Sequence, residues 1–290
     1  MAPNEPTRTA TTFELAVVGG GNMGAALVGG LLGAGTIDRH EVVIVEALDD
    51  RRDELALLFA GVAIAASLPS CRAAVLAVKP GDVADAARDA VRAGARRLLS
   101  IAAGVPTRSI ERAVVEIVAG GAAADPDAEA VDRVAVVRAM PNTPALVGQG
   151  ASAIAGGAAA ADADLAWAEG ILGGVGLVVR VDESQLDAVT ALSGSGPAYV
   201  FLVAEALVEA GVQAGLPPVL ATALTTQLLV GSAALLAERG DPAALRAMVT
   251  SPGGTTAAGL AVLNERDLRG AFVAAVAAAA QRSRELAPRD

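Results

Sequence analysis

The 290-residue chain is poor in the side chains that usually carry proton or thiol chemistry: it has one cysteine, one histidine, one tyrosine and one lysine. A lone Cys71 excludes an internal disulfide and fits a reducing compartment. His40 falls between the first helix and the second strand, away from the strand ends where ligands of parallel sheets gather. Tyr199 is followed four residues later by Val203, so no Tyr-x-x-x-Lys pair exists. Lys79 is the only lysine among 22 basic residues, which suggests that its position tolerates arginine poorly. Basic clusters are also missing. With a net charge of −10, the composition argues against nucleic acid as a partner. Residues 1–12 are polar, with proline and threonine and no apolar run of the kind a signal peptide needs. They are expected to form a disordered tail on a cytoplasmic protein.

What is present is apolar and glycine-rich. At 53% hydrophobic residues, the chain can bury a large core, and its length points to two domains. The apolar segment 13–18 runs into Gly19-Gly20-Gly21-Asn22-Met23-Gly24 and then into a helical pattern with Ala25, Leu27, Val28 and Leu31. This is G-x-G-x-x-G between a strand and a helix, with a second strand at 41–45. The arrangement suits a tight turn, close backbone approach to a pyrophosphate and close helix–strand packing. Further buried strands at 73–78, 97–101 and 134–138 end at Lys79-Pro80, at Ala102-Ala103-Gly104 and at Met140-Pro141-Asn142-Thr143-Pro144. These ends are expected to line the nicotinamide side; the last also reads as a rigid proline turn between domains. Glu46 closes the second strand, where an acidic residue holds a ribose 2′-hydroxyl and repels a 2′-phosphate. Arg51 and Arg52, a turn further on, could neutralise that phosphate, so NADH and NADPH both stay open. Residues 120–132 read as a mobile surface loop.

From about Leu186 the pattern is nearly all helical. Between Phe201 and Val212 only Glu205 and Glu209 are charged, on one narrow stripe. Residues 209–238 carry no internal charge, but Gly215-Leu216-Pro217-Pro218 breaks them into two helices, and the second half, 219–237, reads as lacking the basic and aromatic anchors of a membrane span. A buried subunit interface fits better than a membrane span, and an obligate homodimer or larger assembly is expected. Near the end, Ser251-Pro252-Gly253-Gly254-Thr255-Thr256 reads as an anion pocket at a helix start, with Pro252 at the first helical position and three hydroxyls at hand. It also reads as a plain glycine turn between helices.

A dinucleotide site plus a carboxylate pocket suggests hydride transfer to a small acid. Ketone reduction wants a strong general acid, and Lys79 is the one candidate, though a charge contact with the cofactor suits it better. An imine is far more basic than a ketone oxygen and needs only a hydroxyl and water. The missing catalytic histidine therefore favours a C=N substrate. A 3-hydroxyacid or 6-phosphogluconate-type dehydrogenase would want a lysine in the helical half. A dinucleotide-sensing protein without catalysis would bind NAD(P)H and never oxidise it.

The segments Gly19–Gly24, Ala77–Pro80, Met140–Pro144, Leu192-Ser193-Gly194-Ser195-Gly196-Pro197-Ala198-Tyr199 and Ser251–Thr256 occur in the order seen in pyrroline-5-carboxylate reductases, and the chain resembles that family over about residues 13–285. The resemblance implies reduction of L-1-pyrroline-5-carboxylate to L-proline with NADPH or NADH, the last step of proline biosynthesis. It also implies an α/β Rossmann-type domain (13–182) followed by an all-α dimerisation and substrate domain (183–286), often assembled into decamers. By motif, Gly19, Gly21, Asn22, Met23 and Gly24 would hold the pyrophosphate. Ala77, Val78, Lys79, Pro80, Ala102, Ala103 and Asn142 would flank ribose and nicotinamide. Ser251, Gly254, Thr255 and Thr256 would take the carboxylate and ring of the small cyclic imino acid, with the Thr256 hydroxyl at the ring nitrogen as the nearest thing to a catalytic acid. Ser193 and Ser195 either join the substrate site or cap a helix. Glu46 departs from the small hydroxyl residues many relatives use for the 2′-phosphate.

Overall fold

The computed structural model describes residues 12–121 and 133–286. The chain separates into two compact units, one running to Gly194 and taking back the residues from Ala280, the other spanning Ser195–Ala279. The tail up to residue 11, and residues 122–132 of the expected surface loop, lie outside the described residues.

Among the described residues the first unit carries eight strands: β1 Phe13–Val18, β2 Val42–Val45, β3 Ala63–Ala65, β4 Cys71–Leu76, β5 Arg97–Ser100, β6 Ala135–Met140, β7 Gly150–Gly156 and β8 Gly176–Arg180. They form one sheet in the order β3-β2-β1-β4-β5-β6-β7-β8. All neighbours are parallel except β6 and β7. β1 sits between β2 and β4, with Val17 opposite both Ile44 and Val75. Strands covered on both faces read as continuous apolar runs, and Ala16, Val17, Ala74 and Val75 are wholly buried.

Five helices cover this sheet: α1 Asn22–Gly33, α2 Asp49–Leu58, α3 Val83–Arg92, α4 Thr107–Gly121 and α5 Asp162–Gly173. Leu27 and Leu31 of α1, Leu55 of α2 and Leu172 of α5 join Val17, Ile44 and Val75 in one core. Val83 and Ala87 of α3 and Ile110 of α4 join Ala16, Ala74 and Leu98 in the other. This is the doubly wound arrangement, with the strand order reversing between β1 and β4 and a ligand crevice at their carboxyl ends. Cys71, at the start of β4, is buried, and burial pushes its thiol up to about 11. It is therefore a small hydrophobe in function, without thiolate character.

After the short α6 Leu186–Val189 and a π-helical turn at Thr190–Gly194, the second unit is helical: α7 Gly196–Gln213, α8 Pro218–Arg239, α9 Pro242–Met248, α10 Thr255–Glu265 and most of α11 Leu268–Leu286. The break before α8 falls at Leu216-Pro217, as the prolines dictate. α7, α9 and α10 bury no residue, and α8 buries only Ala221 and Thr225. By length and composition alone, the helical stretches 183–213 and 218–239 are apolar enough to cross a bilayer.

Candidate active site

The turn after β1 is built by three glycines that do different work. Gly19 has φ +104°, and a Cβ there would fall on the carbonyl oxygen of Ala77, the residue after β4. Its N–H donates to the Val45 carbonyl at 2.8 Å. A Cβ on Gly24 would fall on the Gly19 carbonyl oxygen, so the helix can lie close on the loop only without a side chain there. Around Gly21 a Cβ would meet nothing within 4 Å. That open space lies at the N-cap of α1, which has no side-chain cap and no acidic residue in its first turn. Free N–H groups at an uncapped, uncharged helix start favour an anion, and the space over Gly21 accommodates one. The residues present thus fit a dinucleotide pyrophosphate. Asn22 is exposed beside this space, whereas Met23 is half-buried against the core.

The neighbouring strand ends converge on the same crevice. The Ala77 N–H donates to the Val18 carbonyl at 2.8 Å, tying the end of β4 to β1. Val78 is half-buried, while Lys79 and Pro80 are exposed at the start of a 3-10 turn. After β5, Ala102 is buried and Ala103 exposed. Glu46 directly follows β2. Its carboxylate accepts from the Gly20 N–H at 2.9 Å and from the Leu48 N–H at 3.0 Å. Asn142, after β6, is buried with both ends of its amide hydrogen-bonded. Its Nδ2 donates to the Ser193 carbonyl at 3.0 Å, and its Oδ1 accepts from the Ala151 N–H at 2.8 Å. Asn142 therefore fixes the proline turn to β7 and to the π-helical turn. In that turn the Ser193 hydroxyl donates to the Val189 carbonyl at 3.1 Å, and Gly194 packs on the Met140 methyl. Ser195 occupies the N-cap position of α7 but makes no side-chain cap bond.

The pocket motif differs from its expected form. Pro252 is not the first helical residue: α10 begins at Thr255 with Gly254 as its N-cap. Ser251–Gly254 forms a turn closed by the Gly254 N–H donating to the Ser251 carbonyl at 3.0 Å, with Gly253 at φ +70°. Proline at the second position followed by a positive-φ glycine is the signature of a type II turn. The helix start still lacks any side-chain cap and any acidic residue in its first turn. Ser251, Thr255 and Thr256 are exposed. A Cβ on Gly254 would collide with the Ser251 hydroxyl.

One cluster was not anticipated. Arg138 lies inside β6 and is buried; its guanidinium donates to Glu183 at 3.3 Å. Glu183 also accepts from the Thr107 N–H at 2.8 Å and hydroxyl at 2.7 Å, capping α4 from 76 residues away. Only an arginine within an apolar strand hints at this in the sequence, and the partner has no local signature. Glu183→Ala would strand a buried guanidinium and uncap a helix, an expected loss of about 2–3 kcal/mol measurable by urea unfolding. Glu183→Gln should recover part of that loss.

Comparison with known proteins agrees with this geometry. Residues 183–286 match a family model described as pyrroline-5-carboxylate reductase dimerisation, and residues 14–104 match one described as NADP oxidoreductase, coenzyme F420-dependent. A pyrroline-5-carboxylate reductase of Mycobacterium tuberculosis is 41% identical over 94% of this chain and 96% of its own. The solved reductase of Coxiella burnetii is 33% identical with a TM-score of 0.83, covering 96% of this chain and 100% of that one. That of Plasmodium falciparum, solved with NADP bound, is 28% identical with a TM-score of 0.78, covering 95% and 98%. With a glycine loop shaped for a dinucleotide, a helical half matching the dimerisation model and a relative alike over nearly the whole length, the chain belongs to the pyrroline-5-carboxylate reductase family.

Proposed function

We propose that the protein reduces L-1-pyrroline-5-carboxylate to L-proline with NADH or NADPH, the last step of proline biosynthesis, as a cytoplasmic enzyme. The observation that carries this reading is the uncapped start of α10, with hydroxyls on either side of its glycine, in a chain that also holds a dinucleotide loop. When bound, the reduced nicotinamide supplies a hydride to the C=N carbon. The chain's own part is to hold and orient. Gly19, Gly21, Asn22, Met23 and Gly24 shape the pyrophosphate cradle, and Glu46 stands at the ribose. Ala77, Val78, Lys79, Pro80, Ala102 and Ala103 border the nicotinamide half, and Asn142 positions the loop beside them.

Residues 13–182 serve the cofactor, and 183–286 serve the substrate and dimer formation; the homodimer is the unit from which decamers assemble. N–H groups at the α10 start, with Ser251 and Thr255, fix the substrate carboxylate. Fixing that group orients the planar ring for transfer, so most of the rate comes from positioning. Gly254 keeps the Ser251 hydroxyl in place, and Ser193 and Ser195 shape the approach. The Thr256 hydroxyl holds the proton at the ring nitrogen, which becomes the amine of proline as the carbon gains hydride. Thr256→Ala should lower kcat roughly ten- to a hundredfold while leaving the Kd for the nucleotide unchanged. The assay is imine-dependent loss of nicotinamide absorbance. An unchanged kcat removes Thr256 from the mechanism, and no oxidation by the parent enzyme removes the reaction itself.

A further inference from the structure

We propose that Glu46 selects the cofactor and that the enzyme takes NADH in preference to NADPH; the inference rests on the dinucleotide-binding reading above. Three features place a fixed negative charge, without a free positive one, where a 2′-phosphate would have to sit. The first is the Glu46 carboxylate itself. It stands at the end of β2, 22 residues after Gly24, where the fold presents a side chain to the adenosine ribose. Its two oxygens are bracketed by the N–H groups of Gly20 and Leu48, so it is tied to the dinucleotide loop on one side and to the turn before α2 on the other. A carboxylate held this way is acceptor-only and can still take hydrogen bonds from ribose hydroxyls. A phosphate carrying about −1.5 to −2 charges at the same place has nothing to donate and is repelled.

The second feature concerns the two arginines that could have offset that repulsion. Arg51 donates from Nε to the Gly20 carbonyl at 2.8 Å and from Nη1 to Glu54 at 2.6 Å. Arg52 donates from Nη1 to the Glu46 and Ala47 carbonyls, both at 2.8 Å, and from Nη2 to Asp49. Each guanidinium is held to the backbone of the loop or turn and is ion-paired with a carboxylate of its own helix. Together they brace Glu46 where it stands.

The third feature is the start of α2, which has no side-chain cap but carries Asp49 and Asp50 in its first turn. A helix start is an anion site only while its own first turn is neutral; here two carboxylates already answer the dipole. From Glu46 to Glu54 the chain holds five carboxylates against two guanidiniums, a net charge of −3.

The test measures binding apart from turnover. Isothermal titration calorimetry of the parent protein with ADP-ribose and with its 2′-phosphorylated form should give at least tenfold tighter binding to the unphosphorylated ligand. Glu46→Gln and Glu46→Ser should narrow that ratio at least tenfold, mainly by strengthening binding of the phosphorylated ligand, and the kcat/KM ratio for NADH over NADPH should follow. Melting temperatures of the variants within a few degrees of the parent establish that the ratio changes in folded protein. Equal or tighter binding of the phosphorylated ligand by the parent overturns the proposal, as does an unchanged ratio in a folded Glu46→Gln. Failure of the reductase reading has a separate sign: no imine-dependent oxidation of either nucleotide, with the calorimetric ratio still measurable.

Discussion

Gly19→Ala is expected to cost about 3 kcal/mol of stability and to abolish measurable NAD(P)H binding, whereas Gly21→Ala should melt with the parent and still bind nucleotide at least tenfold more weakly. The two glycines lie two residues apart and differ in what their missing side chains spare. At Gly19 the backbone has φ +104°, a region that L-residues avoid at a cost of order 1–3 kcal/mol. The added methyl would also lie on the Ala77 carbonyl, within 2.8 Å of its carbon. Ala77 is backbone at the end of a buried strand and cannot step aside without disturbing its bond to Val18. Both the fold and the crevice therefore suffer. At Gly21 the free protein has room, with nothing within 4 Å of the new carbon. The methyl matters only when a pyrophosphate comes to the α1 start, so its cost belongs to binding alone. Thermal melts and titration calorimetry on the two variants separate these effects. A Gly21→Ala protein that binds nucleotide like the parent would mean the loop holds no pyrophosphate.

What could be read from the sequence was local, and what could not was assembled across distance. β1, the glycine loop and α1 lie within about twenty consecutive residues, and each glycine has a role set by its neighbours in the chain. The parallel strands β2, β4, β5 and β6 announce themselves as apolar runs because both their faces are covered. β7 and β8 gave no such signal. β7 is Gly-Ala-Ser-Ala-Ile-Ala-Gly, nearly without β-branched residues, and β8 is a half-exposed strand of five residues. Both exist because β6 offers an edge and α5 covers one face. The start of α10 was misplaced by three residues because proline suits the second position of a turn as well as the first position of a helix. Gly253, free to take φ +70°, decides for the turn. The position of Asn142 just after β6 follows from the apolar run before it, but its bonds to Ser193 and Ala151 depend on tertiary placement. The Glu183–Arg138–Thr107 cluster is wholly of that kind.

The helical unit leads to the second large effect: separating the subunits should unfold it. α7 presents Val200, Phe201 and Leu202 in succession, exposed by 52%, 59% and 64%, so its apolar surface faces more than one direction. Apolar grooves run along it, one lined by Phe201, Val208 and Leu229, the other by Leu202, Leu268 and Phe272. Full burial of each large side chain contributes about 1.5–3 kcal/mol. Left in water, the four helices α7–α10, with two buried residues among them, cannot offset the entropy of ordering them. Residues 183–286 match a dimerisation family, and the expected occupant of those grooves is the same helices of a second copy. Stability must then depend on protein concentration by mass action. The melting temperature of the parent should rise as protein is raised from nanomolar to micromolar. Phe201→Asp with Leu224→Asp, the latter an exposed leucine of α8, should give monomers in sedimentation velocity that lose most of the helical signal of residues 195–279 and all turnover. The sheet domain, with its own two-faced core, should stay folded and keep its affinity for nucleotide. A parent chain that sediments as a fully helical, active monomer at micromolar concentration would contradict this account, because nothing in the unit's own packing would then explain why its helices hold together.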